Sequence, residues 1–259
     1  MGRTGQPTPP SFVGLAAHPV RWRLMTELAT SDLRVRELVQ RVDQPQNLVS
    51  YHLRLLRTGG LVTAGRSSFD ARDSYYHLDL DRCAQALTAA GLGLHPALGS
   101  GASAVPVPEL DRPAPSVLFV CTGNSSRSPI AEALLRRRTE GRVEVISAGS
   151  NPKPHIHPDA VRVLRDDYGI DIAAQRTRHL DTLAGHRFDH VVTLCDKARE
   201  VCPEFPDRPR LVHWSIPDPA TAEDAGAPGR PAFRRTAAEI DARARHLIPV
   251  LARAQEAQP

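Results

Sequence analysis

Cys121 and Arg127, six positions apart in CTGNSSRSP, are the residues of this chain best suited by type and spacing to chemistry on an oxyanion. Ahead of them, Val117 to Val120 has the β-branched and aromatic content of a short buried strand. Behind them, Pro129, Ile130, Ala133, Leu134 and Arg137 follow a helical spacing with proline in the first turn. A strand, a tight loop and a helix N-terminus in that order make an anion site. The loop N–H groups point inward, and the helix end carries roughly half a positive charge. Arg127 offers a planar fork for a tetrahedral oxyanion, and the same field lowers the pKa of Cys121 so that a thiolate persists. Ser128 can donate a hydroxyl hydrogen bond to that thiolate, while Thr122, Gly123, Asn124, Ser125 and Ser126 complete the loop. A lone cysteine after a strand is commonly a buried structural residue. The company of Gly123, Asn124, Arg127, Ser128 and Pro129 points to a nucleophile.

Two further cysteines end on similar ground. Cys195 follows the apolar run VVTL, and Cys202 comes seven positions later, before Pro203. On one intact helix that spacing would hold the two roughly 10 Å apart along the axis. A disulfide needs Cα atoms within about 7 Å, so a bond between them would require DKAREV to bend or unwind. The other reading is a pair of unrelated buried cysteines. In HWSIPDP, Asp218 precedes Pro219; Asp-Pro is usually a turn, but a carboxylic acid there could protonate an oxygen leaving a bound oxyanion.

The elements that must position these groups are legible as a pattern. VEVISAG, FDHVVTLCD and RLVHWSI read as strands; PDAVRVLRDDYGI, RTRHLDTLAG and the stretch beginning PAFRRTAAEI read as helices, and KAREVCP as helix or loop. Strands alternating with helices predict a doubly wound parallel sheet over residues 116–255, with the ligand loop at a strand's C-terminal end.

CTGNSSRSP, VVTLCDKAREVCP and HWSIPDPA together resemble the thioredoxin-coupled arsenate reductases, which share the fold of the low-molecular-weight protein tyrosine phosphatases. The resemblance implies that arsenate sits against Arg127, that Cys121 attacks arsenic, and that Asp218 protonates the leaving hydroxide. It implies further that Cys195 attacks Cys121 to release arsenite and that Cys202 attacks Cys195, leaving a disulfide for thioredoxin to reduce. Many relatives have another cysteine where this chain has Ser126, a position outside the relay. Some relatives bind potassium. Asn124, Glu132, Ser147 and Thr177 fall at matching positions, with His179 where a carboxylate is expected. No tightly bound cofactor is expected.

Alternatives remain. A phosphotyrosine phosphatase of the same fold would use the loop and Asp218 equally well, but gives Cys195 and Cys202 no role. A low-molecular-weight thiol could replace thioredoxin. A non-catalytic regulator could bind the oxyanion without turnover.

The first part of the chain has a different organisation. Residues 1–10 are rich in Gly, Pro and Thr and are expected to be a disordered tail. FVGLAA, VRWRLMTELAT and LRVRELVQRV read as helices, the last with Ser31 or Asp32 as N-cap. QPQNLVSYHLRLLRTGG begins with turn residues and ends on Gly59-Gly60. Two short strands, Leu61–Gly65 and Ser74–Leu78, flank a polar tip, and DRCAQALTAAG reads as a closing helix. This order over residues 11–91 predicts a winged helix-turn-helix, mostly α with one β-hairpin, whose third and fourth helices read DNA. Gln46, Asn47, Ser50, Tyr51, His52 and Arg54 on the recognition helix, with Arg66 and Arg72 of the wing, are the candidate contacts to base edges and phosphates. An ordinary solvated helix face is the competing reading. VSYHLRLLRTGGLV resembles the ArsR-type repressors, which implies a homodimer on operator DNA. The arsenite-sensing version carries a cysteine pair in the helix before the recognition helix; here that helix, LRVRELVQ, has none, and Cys83 in the last helix is a weak substitute.

Residues 92–115, rich in Gly, Ala and Pro, read as a linker. No apolar run approaches the eighteen or more residues of a spanning helix, and the first residues lack the apolar core of a secretory signal, so a cytoplasmic location without membrane contact is expected. Four cysteines in that setting are more often reactive than structural. A net charge of +4, carried almost wholly by arginine, is compatible with nucleic-acid binding.

Overall fold

Alternation of buried apolar strands with amphipathic helices sets the architecture seen in the computed structural model, which describes residues 10–95, 114–221 and 229–256. Most of the expected tail and of the expected linker lies outside the described residues. The chain divides into two compact units, one holding the elements up to Leu94 and the other those from Ser116 onward.

The first unit runs α1 (Ser11–Ala16), α2 (Pro19–Leu28), β1 (Leu33–Arg34), α3 (Val35–Val42), α4 (Gln46–Thr58), β2 (Val62–Arg66), β3 (Ser74–Leu78) and α5 (Leu80–Leu94). Leu24, Leu33, Leu38, Val42, Val49, Leu53 and Leu56 form its buried centre. The third helix starts later than its sequence suggests. Leu33 and Arg34 pair antiparallel with Tyr76 and Tyr75, so the hairpin grows to a three-stranded sheet in the order β1-β3-β2. Asp32 is therefore no N-cap; its Oδ1 lies 2.9 Å from His77 Nδ1. The N-cap is Arg34, whose N–H donates to the Glu37 carboxylate at 2.8 Å. The first wing strand is shifted one residue from its expected Leu61–Gly65, and α5 continues past Gly91 and Gly93 into the expected linker.

The second unit runs β4 (Ser116–Cys121), α6 (Arg127–Arg138), β5 (Glu144–Gly149), α7 (Pro158–Tyr168), a 3-10 turn (Leu180–Leu183), β6 (His190–Thr193), α8 (Asp196–Glu200), β7 (Arg210–His213) and α9 (Arg230–Glu256). The four strands are parallel in the order β5-β4-β6-β7. β4 lies between β5 and β6, and Val117 to Val120 are fully buried, which is why that run is continuously apolar rather than alternating. RTRHLDTLAG, expected to be a helix, forms only the 3-10 turn, its start capped by His179 accepting the Asp181 N–H. Cys195 and Cys202 do not share a helix. Cys195 is the extended N-cap of α8, and Cys202 lies beyond the end of that five-residue helix.

Candidate active site

The loop between β4 and α6 hangs at the C-terminal end of a central strand, where a doubly wound sheet places its ligands. Its backbone carbonyls are tied from outside. Ser150, Asn151, Lys153 and His157 donate their N–H groups to the carbonyls of Cys121, Thr122, Gly123 and Ser125 at 2.7–3.2 Å. Holding those carbonyls outward suits a loop whose amides must serve an anion inside. Asn124 adopts a left-handed backbone, φ 42°, to turn the loop. Gly149 lies directly beneath, where a Cβ would stand 2.6 Å from the Thr122 carbonyl and 2.9 Å from Asn124 N. No larger residue fits there.

Inside the loop, Cys121 Sγ lies 3.1 Å from Ser128 Oγ. Asn124 Nδ2 already donates to that oxygen at 2.9 Å and to Ser147 Oγ at 3.0 Å. The hydroxyl hydrogen of Ser128 is thus left for the sulfur, the Ala148 carbonyl at 3.4 Å being the more distant acceptor. Cys121 and Ser128 are buried at the start of α6, whose last turn carries Arg136, Arg137 and Arg138 against the opposite pole.

Arg127 is also buried. Its Nη1 donates to the Ile216 carbonyl and its Nη2 to Asp218 Oδ2, each at 2.9 Å. Its Nε has no hydrogen-bond partner among the described residues, although buried polar groups are nearly always paired. An oxyanion in the loop would supply the acceptor. Asp218 Oδ1 accepts the Ala220 N–H at 3.1 Å, so the Asp-Pro turn is real and also places the carboxylate.

The second cysteine is close at hand. Thr122 Oγ1 lies 3.3 Å from Cys195 Sγ, which joins the residue after Cys121 to the end of β6. Cys202 is half-buried, and burial pushes its thiol up to about 11. A thiol so protonated is a poor nucleophile until it reaches water. All four cysteines are free. Cys83 in α5 is buried and pushed up to about 11 by burial and by Asp79, which suits a packed side chain.

The residues matched to a potassium site are drawn together by hydrogen bonds within the protein. Glu132 accepts from Arg136 at 2.7 Å on one oxygen and from Gln175 at 2.8 Å on the other. Asn124 Oδ1 accepts the Arg178 N–H at 2.7 Å, and Ser147 Oγ accepts from Asn124. Thr177 lies in the segment leading to His179, which bridges to Gly149.

On the recognition helix α4, Gln46, Asn47, Ser50, Tyr51 and Arg54 are exposed, and Arg54 stacks over the Tyr51 ring at 5.5 Å. Arg66 and Arg72 are exposed on the wing. His52 is not available to DNA. It is 3% exposed, its ring 4.4 Å from that of His18, because the α4 face at positions 49, 52, 53 and 56 is the one turned inward.

Residues 116–257 match the model of the low molecular weight phosphotyrosine protein phosphatases. The chain belongs to that family. Residues 18–64 match the model of bacterial regulatory proteins of the arsR family, and the first unit of this phosphatase-family chain is a helix-turn-helix of that type. Relatives include an arsenate reductase of Halalkalibacterium halodurans, 38% identical over 127 residues, which are 49% of this chain and 90% of the relative. An arsenate reductase of Brevibacillus brevis is 38% identical over 128 residues, with the same two shares. Among solved structures, an arsenate reductase from Archaeoglobus fulgidus is 30% identical, covering 51% of this chain and 98% of its own, with a TM-score of 0.42.

The sequence did not point to Gly149, to the four amides that hold the loop carbonyls, or to the role of Thr122 beside Cys195. The small-residue triplet Ser147-Ala148-Gly149 at a strand end was the available sign of close backbone approach.

Proposed function

We propose that this chain is an arsenate reductase joined to an operator-binding repressor. The observation that carries the reductase reading is the 3.3 Å contact between Thr122 Oγ1 and Cys195 Sγ, which sets a second thiol beside the nucleophile's own loop. A phosphatase has no use for that thiol. Arsenate enters the loop against Arg127, and the Cys121 thiolate forms a sulfur–arsenic bond as hydroxide leaves, protonated to water by Asp218. The Cys195 thiolate then attacks the Cys121 sulfur. The sulfur–arsenic bond breaks with its electron pair going to arsenic, which departs as arsenite. Cys202, once deprotonated, attacks Cys195; Cys121 leaves as thiolate and a Cys195–Cys202 disulfide remains. Thioredoxin supplies the two electrons that reopen it. A reducing, cytoplasmic setting follows from that donor, and among the described residues no helix is long and apolar enough to cross a membrane.

For the first unit, the exposed Gln46, Asn47, Ser50, Tyr51 and Arg54 of α4, with Arg66 and Arg72, meet operator DNA. Val13 of α1 and Leu87, Leu92 and Leu94 of α5 are exposed apolar side chains on two helices that pack together, which supports a homodimer through this unit.

The family match favours phosphotyrosine hydrolysis as the second reading. Arsenate-dependent NADPH oxidation with thioredoxin and its reductase separates the two. Turnover on arsenate supports the reductase; brisk aryl phosphate hydrolysis with no response to arsenate would favour the phosphatase. For the repressor, a gel shift on the chain's own upstream DNA is expected, weakened by Arg54→Ala.

A further inference from the structure

The segment from His213 to Asp218 grips two different parts of the site. At its far end the Ile216 carbonyl and Asp218 hold Arg127. At its near end are contacts that the relay does not use. His213 Nε2 lies 3.1 Å from Asp196 Oδ1, and Ser215 Oγ donates to the same oxygen at 2.8 Å. His213 Nδ1 in turn lies 2.8 Å from Thr193 Oγ1 on β6. Asp196 and His213 are 2% and 3% exposed, which is costly for a carboxylate unless it is fully engaged. Burial alone would push the Asp196 carboxyl up, but the hydrogen bonds it accepts, those from His213 and Ser215 foremost among them, prevail and hold it well below the usual carboxylate range.

Asp196 is the residue after Cys195 and the first of α8. Beyond the other end of α8, Val201 is 58% exposed, and Cys202 follows without regular structure. We infer that Asp196, His213 and Ser215 form a latch that pins the Cys195 end of this segment to the strand β7 side of the sheet. The three are positioning residues. The latch keeps the second thiol against Thr122. Because one short loop serves both Asp196 and Arg127, an anion that draws Arg127 away from Asp218 acts on the same loop that holds Cys195. The value of this latch for turnover rests on the reductase reading; the pinning of Cys195 does not.

The test therefore reads thiol exposure directly. Reduced full-length chain is treated with iodoacetamide, and the rate at each cysteine is followed by peptide mass mapping. Ser215→Ala and Asp196→Asn are expected to speed modification of Cys195 about tenfold, the shift expected for losing one charge-assisted hydrogen bond, with Cys121 and Cys202 unchanged. Ser215→Thr, which keeps the hydroxyl, is expected to restore the slow rate. An unchanged Cys195 rate in Ser215→Ala would overturn the latch, and so would a rise shared equally by all the cysteines, which would mark general loosening. If Cys195 responds as expected while wild type fails to turn over arsenate, the reductase reading falls and the latch stands.

Discussion

Arg127 Nη2 donates to Asp218 Oδ2 at 2.9 Å, so the fork that would hold an oxyanion is closed upon the acid that would serve it. An anion that takes the unpaired Nε and Nη2 together competes with Asp218 at Nη2, and winning that competition frees the carboxyl to meet the leaving oxygen.

Asp218→Asn should separate binding from chemistry. The amide competes less well for Arg127, so inert phosphate should bind several-fold more tightly. The rate of the first chemical step should fall about 10²- to 10⁴-fold for loss of the general acid. Phosphate affinity by calorimetry and single-turnover arsenite release check the two halves. Weaker phosphate binding would show that Asp218 holds the arginine in its working pose.

Thr122→Val removes the hydroxyl from Cys195 and leaves the anion loop its backbone. Arsenite release in a single turnover is expected to slow about tenfold, the scale of one lost hydrogen bond to a reacting group, while phosphate affinity stays within twofold. Thr122→Ser should behave as wild type. Equal rates in Thr122→Val and wild type would remove the hydroxyl from the account.

His190, at the opposite end of β6 from Cys195, is buried with neither ring nitrogen paired among the described residues. Burial, then Arg210, lowers its pKa against a smaller opposing effect of Asp189. A folded-state value below the unfolded one means that the unfolded chain binds the proton first. The stability held above about pH 6.5 is therefore lost as pH falls toward the folded value. His190→Leu should reduce the loss of Tm between pH 7.5 and 5.5, leaving the share due to His52, whose pKa burial also lowers. At pH 7.5 the variant should be as stable as wild type or more so by about 1 kcal/mol, since it deletes two unpaired buried polar atoms. An unchanged pH slope by calorimetry would exclude His190 as a source of acid sensitivity.

What could be read from the sequence was local. Val117–Val120, the loop from Cys121 to Ser128 and the proline-initiated helix carry their geometry within one short window, and the parallel sheet follows from strand–helix alternation. What could not be read depends on partners far along the chain. Leu33 and Arg34 become a strand because Tyr75 and Tyr76 pair with them, and this moves the start of α3. His52 is inward because the α4 stripe through Val49 and Leu53 includes it, a position where side-chain type and helical phase disagree. RTRHLDTLAG has helical composition but yields only a 3-10 turn, beside the bridge between His179 and Gly149. The grip of His213 and Ser215 on Asp196 has no spacing rule at all.

The relay through three cysteines is the central claim, and Cys202→Ser tests it most directly. Reduced variant and wild type are mixed with excess arsenate without thioredoxin, arsenite is counted per chain, and disulfides are mapped. Both should release one arsenite, wild type ending with Cys195–Cys202 and the variant with Cys121–Cys195. Adding thioredoxin with its reductase and NADPH should then give sustained turnover only in wild type. Sustained, full-rate turnover by Cys202→Ser would contradict the relay.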